Sequence, residues 1–276
     1  MSGKNPWYDS SKAHHTPEGF RNPEPEARQP GDLRRWRRER KAQGLPMPPQ
    51  QGYDAFVEEW WQPADLSGSD DRLWWLGHAA VLLRLNQRYI LIDPALSSRA
   101  SPFSFAGPQR KTPAPLSIAD LPHLDVVLIS HNHYDHLDRP TVKAIVRRFP
   151  QATFVVPLGL AAWCRARGVQ QVHQADWWQQ VRVGDLCFDA VPARHWSMRS
   201  PRDRNRSLWC GWVVRSSSVR FWFSGDSGYS DSLLAIPARL GPFSVTALPI
   251  GAYAPKWFMA GQHMDPDQAV ALWQAA

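Results

Sequence analysis

The sequence predicts a mixed α/β or α+β domain, and three observations carry that expectation. From Arg72 onward, strand-sized apolar runs alternate with longer stretches of helical character. Apolar residues make up 43% of the 276-residue chain, enough for a sizeable core, and the longest apolar runs are strand-sized rather than membrane-spanning. No stretch after residue 70 reads as a linker and no internal repeat is evident, so a single large domain is favoured over two small ones.

Residues 1–70 are polar and rich in proline, with Pro6, Pro17, Pro23, Pro46 and Pro63 among them. Such a composition suggests an extended arm, wrapped on the domain or partly loose. One short helix, from about Asp32 to Gln43, interrupts it and holds the densest basic block, Arg34-Arg35-Trp36-Arg37-Arg38-Glu39-Arg40-Lys41. A second basic block runs from Arg194 to Arg206 within a chain of net charge +7. These blocks can attract phosphate, on nucleic acid or on anionic lipid, or they can simply be a solvated face. Leu33 and Trp36 share one side of the helix, a stripe too narrow for deep membrane insertion.

Residues 71–276 form the domain proper. Leu73 to Leu76, Ala80 to Leu85 and Tyr89 to Ile92 read as an antiparallel meander with a turn at Asn86-Gln87. The Ser/Pro/Gly stretch from Asp93-Pro94 to Pro115 reads as a loop, long enough to favour a lid or binding role. A buried strand is expected from Leu124 to Ser130, then a helix from about Pro140 to Phe149, a strand at Thr153 to Val156 and a helix from about Leu158 to Arg167. Strands follow near Gln170 to His173, Gln179 to Val183, Leu186 to Val191, Leu208 to Arg215 and Val219 to Phe223. A helix from about Ser230 to Leu240, a strand at Val245 to Leu248 and a helix starting near Asp265 complete the order.

Three cysteines, Cys164, Cys187 and Cys210, are widely spaced with no Cys-x-x-Cys pair, so they read as buried thiols of a reducing cytosol without a metal role. The amino terminus lacks the apolar core of a secretory signal, and a cytoplasmic location follows as the expectation. Fifteen tryptophans exceed ordinary usage, so some are expected to line a wet surface.

Chemistry concentrates in His131-Asn132-His133-Tyr134-Asp135-His136-Leu137-Asp138, directly after the buried strand. Side chains two apart on an extended chain point the same way, so His131 and His133 can approach one cation together. Asp135 and His136 come after the chain has turned toward the helix announced by Asp138 and Pro140, and they aim at a second point nearby. Imidazole and carboxylate suit zinc and its borderline neighbours. His195 also follows a strand, although an isolated histidine is more often structural. Asp226 follows Ser224-Gly225, where it could equally form a turn or cap a helix. His263 precedes a helix and could be a capping-loop residue. Tyr253, Trp257 and Phe258 are candidates for an apolar pocket wall. His14, His15, His123 and His173 carry no assigned role.

The motif resembles the metal-binding signature of the metallo-β-lactamase fold. The wording Ile129 to Asp138, with Trp75-Leu76-Gly77-His78-Ala79, Leu91-Ile92-Asp93-Pro94, Arg194-His195-Trp196 and Ser224-Gly225-Asp226-Ser227-Gly228-Tyr229, is similar to the branch of N-acylphosphatidylethanolamine-hydrolysing phospholipase D-like proteins. That resemblance implies a four-layer αββα sandwich, α+β in class. It implies a first metal held by His131, His133 and His195, a second held by Asp135 and His136, and Asp226 as the bridge. His78 would lie near the metals without touching them, and His263 would be a substrate-side catalytic group. It also implies one more histidine farther downstream than Ala276, so the carboxy terminus is expected to be incomplete and the second of two Zn(2+) ions weakly held or absent.

The implied reaction is phosphodiester hydrolysis by metal-activated water, with Asp135 orienting it or taking its proton. The implied substrate is an N-acylethanolamine phospholipid or another small molecule, with peripheral contact to an anionic membrane and no nucleic acid expected. Alternatives are a lactonase or nuclease on the same scaffold, or a catalytically impaired metal-binding chain.

Overall fold

The computed structural model describes residues 4–25 and 29–276. The arm begins with a small antiparallel pair, β1 (His15–Thr16) and β2 (Gly19–Phe20), followed by α1 (Asp32–Ala42) and α2 (Gly52–Trp60). α1 is the expected basic helix. Its Trp36 ring stacks on Phe258 at 5.0 Å and its Arg35 guanidinium lies 4.1 Å over Trp257, while no residue of the helix is fully buried. Those contacts make the arginine block a solvated face anchored by one aromatic side chain. α2 was not expected, because the surrounding prolines mask a short run of ordinary helix formers.

The first sheet holds β3 (Arg72–Trp75), β4 (Val81–Leu85), β5 (Arg88–Ile92), β6 (Val126–Leu128), β7 (Thr153–Pro157) and β8 (Gln171–Ala175), side by side in that order. β3, β4 and β5 are the antiparallel meander; from β5 to β8 the strands run parallel. The crossovers carry α3 (Arg139–Arg148) and α4 (Ala161–Arg165). Asp138 caps α3, accepting from Thr141 N at 3.3 Å, and Pro140 occupies its first turn. α4 is shorter than expected because Gly159 turns with φ +92° before the helix can start.

The second sheet has the order β13 (Val245–Ala247), β12 (Arg220–Phe223), β11 (Gly211–Arg215), β10 (Leu186–Val191) and β9 (Gln180–Val183), antiparallel except for the β12–β13 pair. β11 starts three residues later than expected, since Leu208 and Cys210 donate to Leu158 O and Ser130 O of the other half instead of to a strand. α5 (Asp231–Leu240), α6 (Lys256–Met259) and α7 (Pro266–Gln274) complete the chain.

Alternation along the strands sorts side chains into three cores. Val126 and Leu128 of β6 face Phe188, Trp212 and Phe221 of the second sheet. Val127 packs outward against Val142 and Ile145 of α3. Val213 and Trp222 pack outward against Leu233 and Ile236 of α5 and Leu272 of α7. The molecule is therefore the four-layer αββα sandwich, with the sheets face to face. Among the described residues no helix is long and apolar enough to cross a membrane.

The arm segment before residue 26 is seated on this body. Buried Asp176, just past β8, receives Lys12 Nζ at 2.6 Å, His14 Nε2 at 2.7 Å and His15 Nε2 at 3.0 Å. His14 also stacks on Trp177 at 4.2 Å. These three side chains fold around a carboxylate whose cation is already supplied by Lys12, and Asp9 N donates to His15 Nδ1 at 3.2 Å behind them, so the cluster is a clip rather than a metal site. Burial pushes His15 below its ordinary value against the pull of Asp176. Unfolded His15 takes a proton near pH 6.5 that the seated arm resists, so this contribution is present above that pH and is lost as pH falls below it. Burial opposes charge on Asp176, yet bonds from His14 and Lys12 hold it well below the carboxylate range, a contribution lost only in stronger acid. Protease cleavage within residues 4–22 should therefore be faster at pH 5 than at pH 7.5, and equal rates would refute the clip.

Candidate metal centre

Every histidine and carboxylate singled out as a ligand arrives at one edge of the sandwich. β6 ends at Leu128, so His131 and His133 lie beyond the strand rather than at its tip. They are held in place by bonds from neighbouring segments: Ser130 N donates to Asp93 Oδ1 at 2.7 Å, and Cys210 N donates to Ser130 O at 2.9 Å. β10 delivers His195 and β12 delivers Asp226. Gly225, at φ +62°, makes the turn before Asp226, and a Cβ there would lie 2.9 Å from Cys210 O.

His131 Nε2 lies 2.8 Å from His133 Nδ1, which lies 3.2 Å from His195 Nε2. The far nitrogens decide what these near atoms are. Ser130 Oγ donates to Asp93 Oδ2, so it must accept from His131 Nδ1 at 2.9 Å; His195 Nδ1 donates to the carbonyl of Gln262 at 3.0 Å. Both Nε2 atoms are left with lone pairs aimed at the same small volume. An ion bound tetrahedrally at about 2.0–2.1 Å would space its nitrogens by roughly 3.3 Å, slightly wider than observed. Burial, joined by the neighbouring imidazoles, drives His131 well below the ordinary histidine range. Burial likewise lowers His195 well below that range, and His133 to about 4. Neutral imidazoles of this kind are what a metal requires at neutral pH.

Next to this group, His136 Nε2 faces Asp226 Oδ2 at 3.2 Å and Asp135 Oδ2 at 3.9 Å, while its Nδ1 donates to Asp93 Oδ2 at 2.7 Å. The buried Nε2 has no hydrogen bond of good geometry. Burial disfavours a proton on His136, but the carboxylates of Asp226, Asp135 and Asp93 outweigh it and push its pKa well above the ordinary value. Burial alone would raise Asp226 and Asp135, yet His136 leads the groups that hold both well below the carboxylate range. Three anionic groups around one imidazole thus call for a cation, and the donors fit a metal. Asp226 Oδ2 also lies 3.8 Å from His195 Nε2, between the two groups.

His78 Nε2 contacts Asp135 Oδ2 at 3.0 Å, beside the donor groups, and with Asp135 and His136 it forms a further possible donor set. His263 Nδ1 lies 3.9 Å from Asp226 Oδ2, with its ring 5.2 Å from that of His195. Tyr253, Trp257 and Phe258 do not wall the cavity beside the centre; Phe258 is buried under Trp36 instead. That cavity, of about 620 Å³, is bounded by His133, Asp135, Trp196 and Met198 and, from the long loop, by Arg99 and Lys111. The loop itself leaves Phe103 and Phe105 exposed.

Several supporting residues carry no local signal. Asp93 is one, fully buried with φ +43° and bonded to Ser130 and His136. Its hints were its place after an expected strand and its part in the Leu91-Ile92-Asp93-Pro94 wording, neither of which assigns it a partner. Arg199 is another: its Nη1 donates to Asn132 O at 2.8 Å and Leu137 O at 2.7 Å, clasping the motif, while Tyr134 lies 3.9 Å from the guanidinium carbon. Burial lowers Arg199 to about 10. Asp93→Asn, which removes the acceptor that pins His136, should weaken the ion at that side by about 10–100-fold, read by chelator competition. Unchanged affinity would show that His136 needs no such partner.

The family described as a β-lactamase superfamily domain matches residues 88–276. An N-acyl-phosphatidylethanolamine-hydrolyzing phospholipase D from Caenorhabditis elegans is 43% identical over 208 residues, covering 72% of this chain and 58% of that protein. A metal-dependent hydrolase from Methanopyrus kandleri is 30% identical, covering 66% of this chain and 72% of that protein. The chain thus spans about half the length of several curated relatives it matches. Among solved structures, a diiron β-hydroxylase from Streptomyces venezuelae aligns with TM-score 0.50 and 25% identity over 76% of this chain and 40% of that one. A metallo hydrolase from Ignicoccus hospitalis aligns with TM-score 0.55 and 21% identity over 73% of this chain and 76% of that one.

Proposed function

Because the chain belongs to the β-lactamase superfamily, we propose that it is a metal-dependent hydrolase that cleaves a phosphodiester, with an N-acylethanolamine phospholipid as its substrate class and zinc as its metal. The observation that carries this reading is that the three convergent imidazoles meet through His133 a cavity with both cationic and apolar walls. Arg99 and Lys111 offer charge to a phosphate, while Ala95, Trp196 and Met198 offer apolar surface to an acyl chain. The relatives from Caenorhabditis elegans and Saccharomyces cerevisiae, both described as N-acyl-phosphatidylethanolamine-hydrolyzing phospholipases D, support the same substrate class.

In this reading His131, His133 and His195 would hold one ion, Asp135 and His136 would hold a second, and Asp226, which lies between the two groups, would be available to both. Zinc held there would lower the pKa of water to give a nucleophile at neutral pH and would supply positive charge to a phosphate. Asp135, steadied by His78, orients the attacking water and accepts its proton. His263, with Nδ1 3.9 Å from Asp226 Oδ2 and its ring 5.2 Å from that of His195, would hydrogen-bond the substrate and protonate the leaving oxygen. Exposed Phe103 and Phe105, on the same long loop as the cavity residues Arg99 and Lys111, would bring that loop to an anionic membrane surface.

The test is incubation of the zinc-loaded chain with N-acylphosphatidylethanolamine in mixed vesicles. Phosphatidic acid and N-acylethanolamine should appear together, and chelation should stop them. Cleavage of a generic phosphodiester without these products would sink the lipid assignment; no phosphodiester cleavage at all would sink the reaction class.

A further inference from the structure

His195 is held by a residue that enters from the far end of the chain. The carboxamide of Asn22 grips the main chain of His195 on both sides: its Oδ1 accepts from His195 N at 3.2 Å and its Nδ2 donates to His195 O at 2.9 Å. The same Oδ1 accepts from the indole of buried Trp209 at 3.2 Å. His195 lies beyond the end of β10, so this side chain supplies the pairing that a neighbouring strand would otherwise give. With the backbone fixed by Asn22 and Nδ1 fixed by the Gln262 carbonyl, the direction of Nε2 is set.

Asn22 can do this only while the arm is seated. Asn5 Nδ2 closes the arm on itself through Thr16 O and Gly19 O, and Phe20 N donates to Asn205 O at 2.8 Å. A Cβ on Gly19 would fall 2.1 Å from that same Asn205 oxygen, so only glycine lets the arm approach so closely. The clip of Lys12, His14 and His15 on Asp176 fastens the preceding turn.

We propose that the amino-terminal arm is a built-in part of the metal centre: Asn22 is a positioning residue for the ligand His195, and the Asp176 clip keeps Asn22 in place. The inference rests on the reading of His131, His133 and His195 as a metal site. An arm that merely stabilised the fold would need no bond to both main-chain groups of a ligand. The carboxamide supplies those bonds from 173 positions away in sequence.

The experiment uses the full chain and Co²⁺ as probe, with affinity measured by chelator competition and the site followed by its visible absorption. Asn22→Ala should weaken the tighter Co²⁺ site by about 10–100-fold and alter its spectrum. The metal-free variant should still unfold cooperatively. Asp176→Asn, which touches no residue of the centre, should weaken the same site in the same direction, and the double variant should lose no more than the worse single one. Asp176→Asn also carries the test if Asn22→Ala does not fold. Parent-like affinity and spectrum in a folded arm variant would overturn the proposal, even if its metal-free stability had dropped. His195→Ala separates the two readings: if it too leaves Co²⁺ binding intact, the metal assignment has failed rather than the role of the arm.

Discussion

His133→Ala is expected to lower phosphodiester turnover by at least about 100-fold while leaving a cooperative unfolding transition. The size follows from the charge stabilisation a metal supplies, several kcal/mol, at about 1.4 kcal/mol per tenfold in rate. His133 is the shared neighbour in the first donor group, since its Nδ1 faces both His131 Nε2 and His195 Nε2. Removing it leaves two of the three imidazoles, with only the shared Asp226 carboxylate to complete the site. The fold should survive because His133 is only partly buried and its Nε2 has no protein partner to lose. Steady-state kinetics with a generic phosphodiester, alongside metal analysis, check the result. Parent-like turnover in a metal-depleted variant would remove the metal from the reaction.

Trp212→Ala is expected to cost about 3–5 kcal/mol of stability, the range for emptying a large aromatic site in a packed core. Trp212 of β11 is fully buried between the two sheets, and its indole donates to Ile129 O at 2.9 Å. The substitution leaves both a cavity and an unsatisfied carbonyl beside the metal motif. A loss of this size is a large part of the roughly 5–15 kcal/mol that keeps a domain folded. Denaturant unfolding of the metal-free protein measures it. Trp212→Phe should retain most of the packing and lose chiefly the hydrogen bond. A cost below about 1 kcal/mol for Trp212→Ala would mean that the sheets close over the gap, contrary to a core packed as densely as a crystal.

Legibility differed from residue to residue for physical reasons. His131, His133, Asp135 and His136 were visible because a metal motif on one short segment is a local pattern, and spacing alone aims its side chains. His195 and Asp226 were visible only as residues at strand ends whose wording matched a family; their meeting depends on β10 and β12 lying in the sheet that faces β6. α2 was missed since composition was weighed above local propensity. The role of Asp93 is not legible in the sequence, because its two partners lie 37 and 43 positions away and nothing near it signals a bond. His14 and His15 looked like part of a polar arm, yet both are buried against Asp176.

By itself the sequence determined most of the order of strands and helices after residue 70, the two donor groups and the class of chemistry they suit, since hydrophobic period and ligand spacing act over a few residues. Tertiary structure decided which nitrogen of each imidazole is free, how Asp226 comes between the donor groups, and that Asn22 steadies His195. Those outcomes depend on hydrogen bonds between segments far apart in the chain. Such bonds leave no periodic mark in the sequence, and their geometry exists only once the two sheets have closed on their common core.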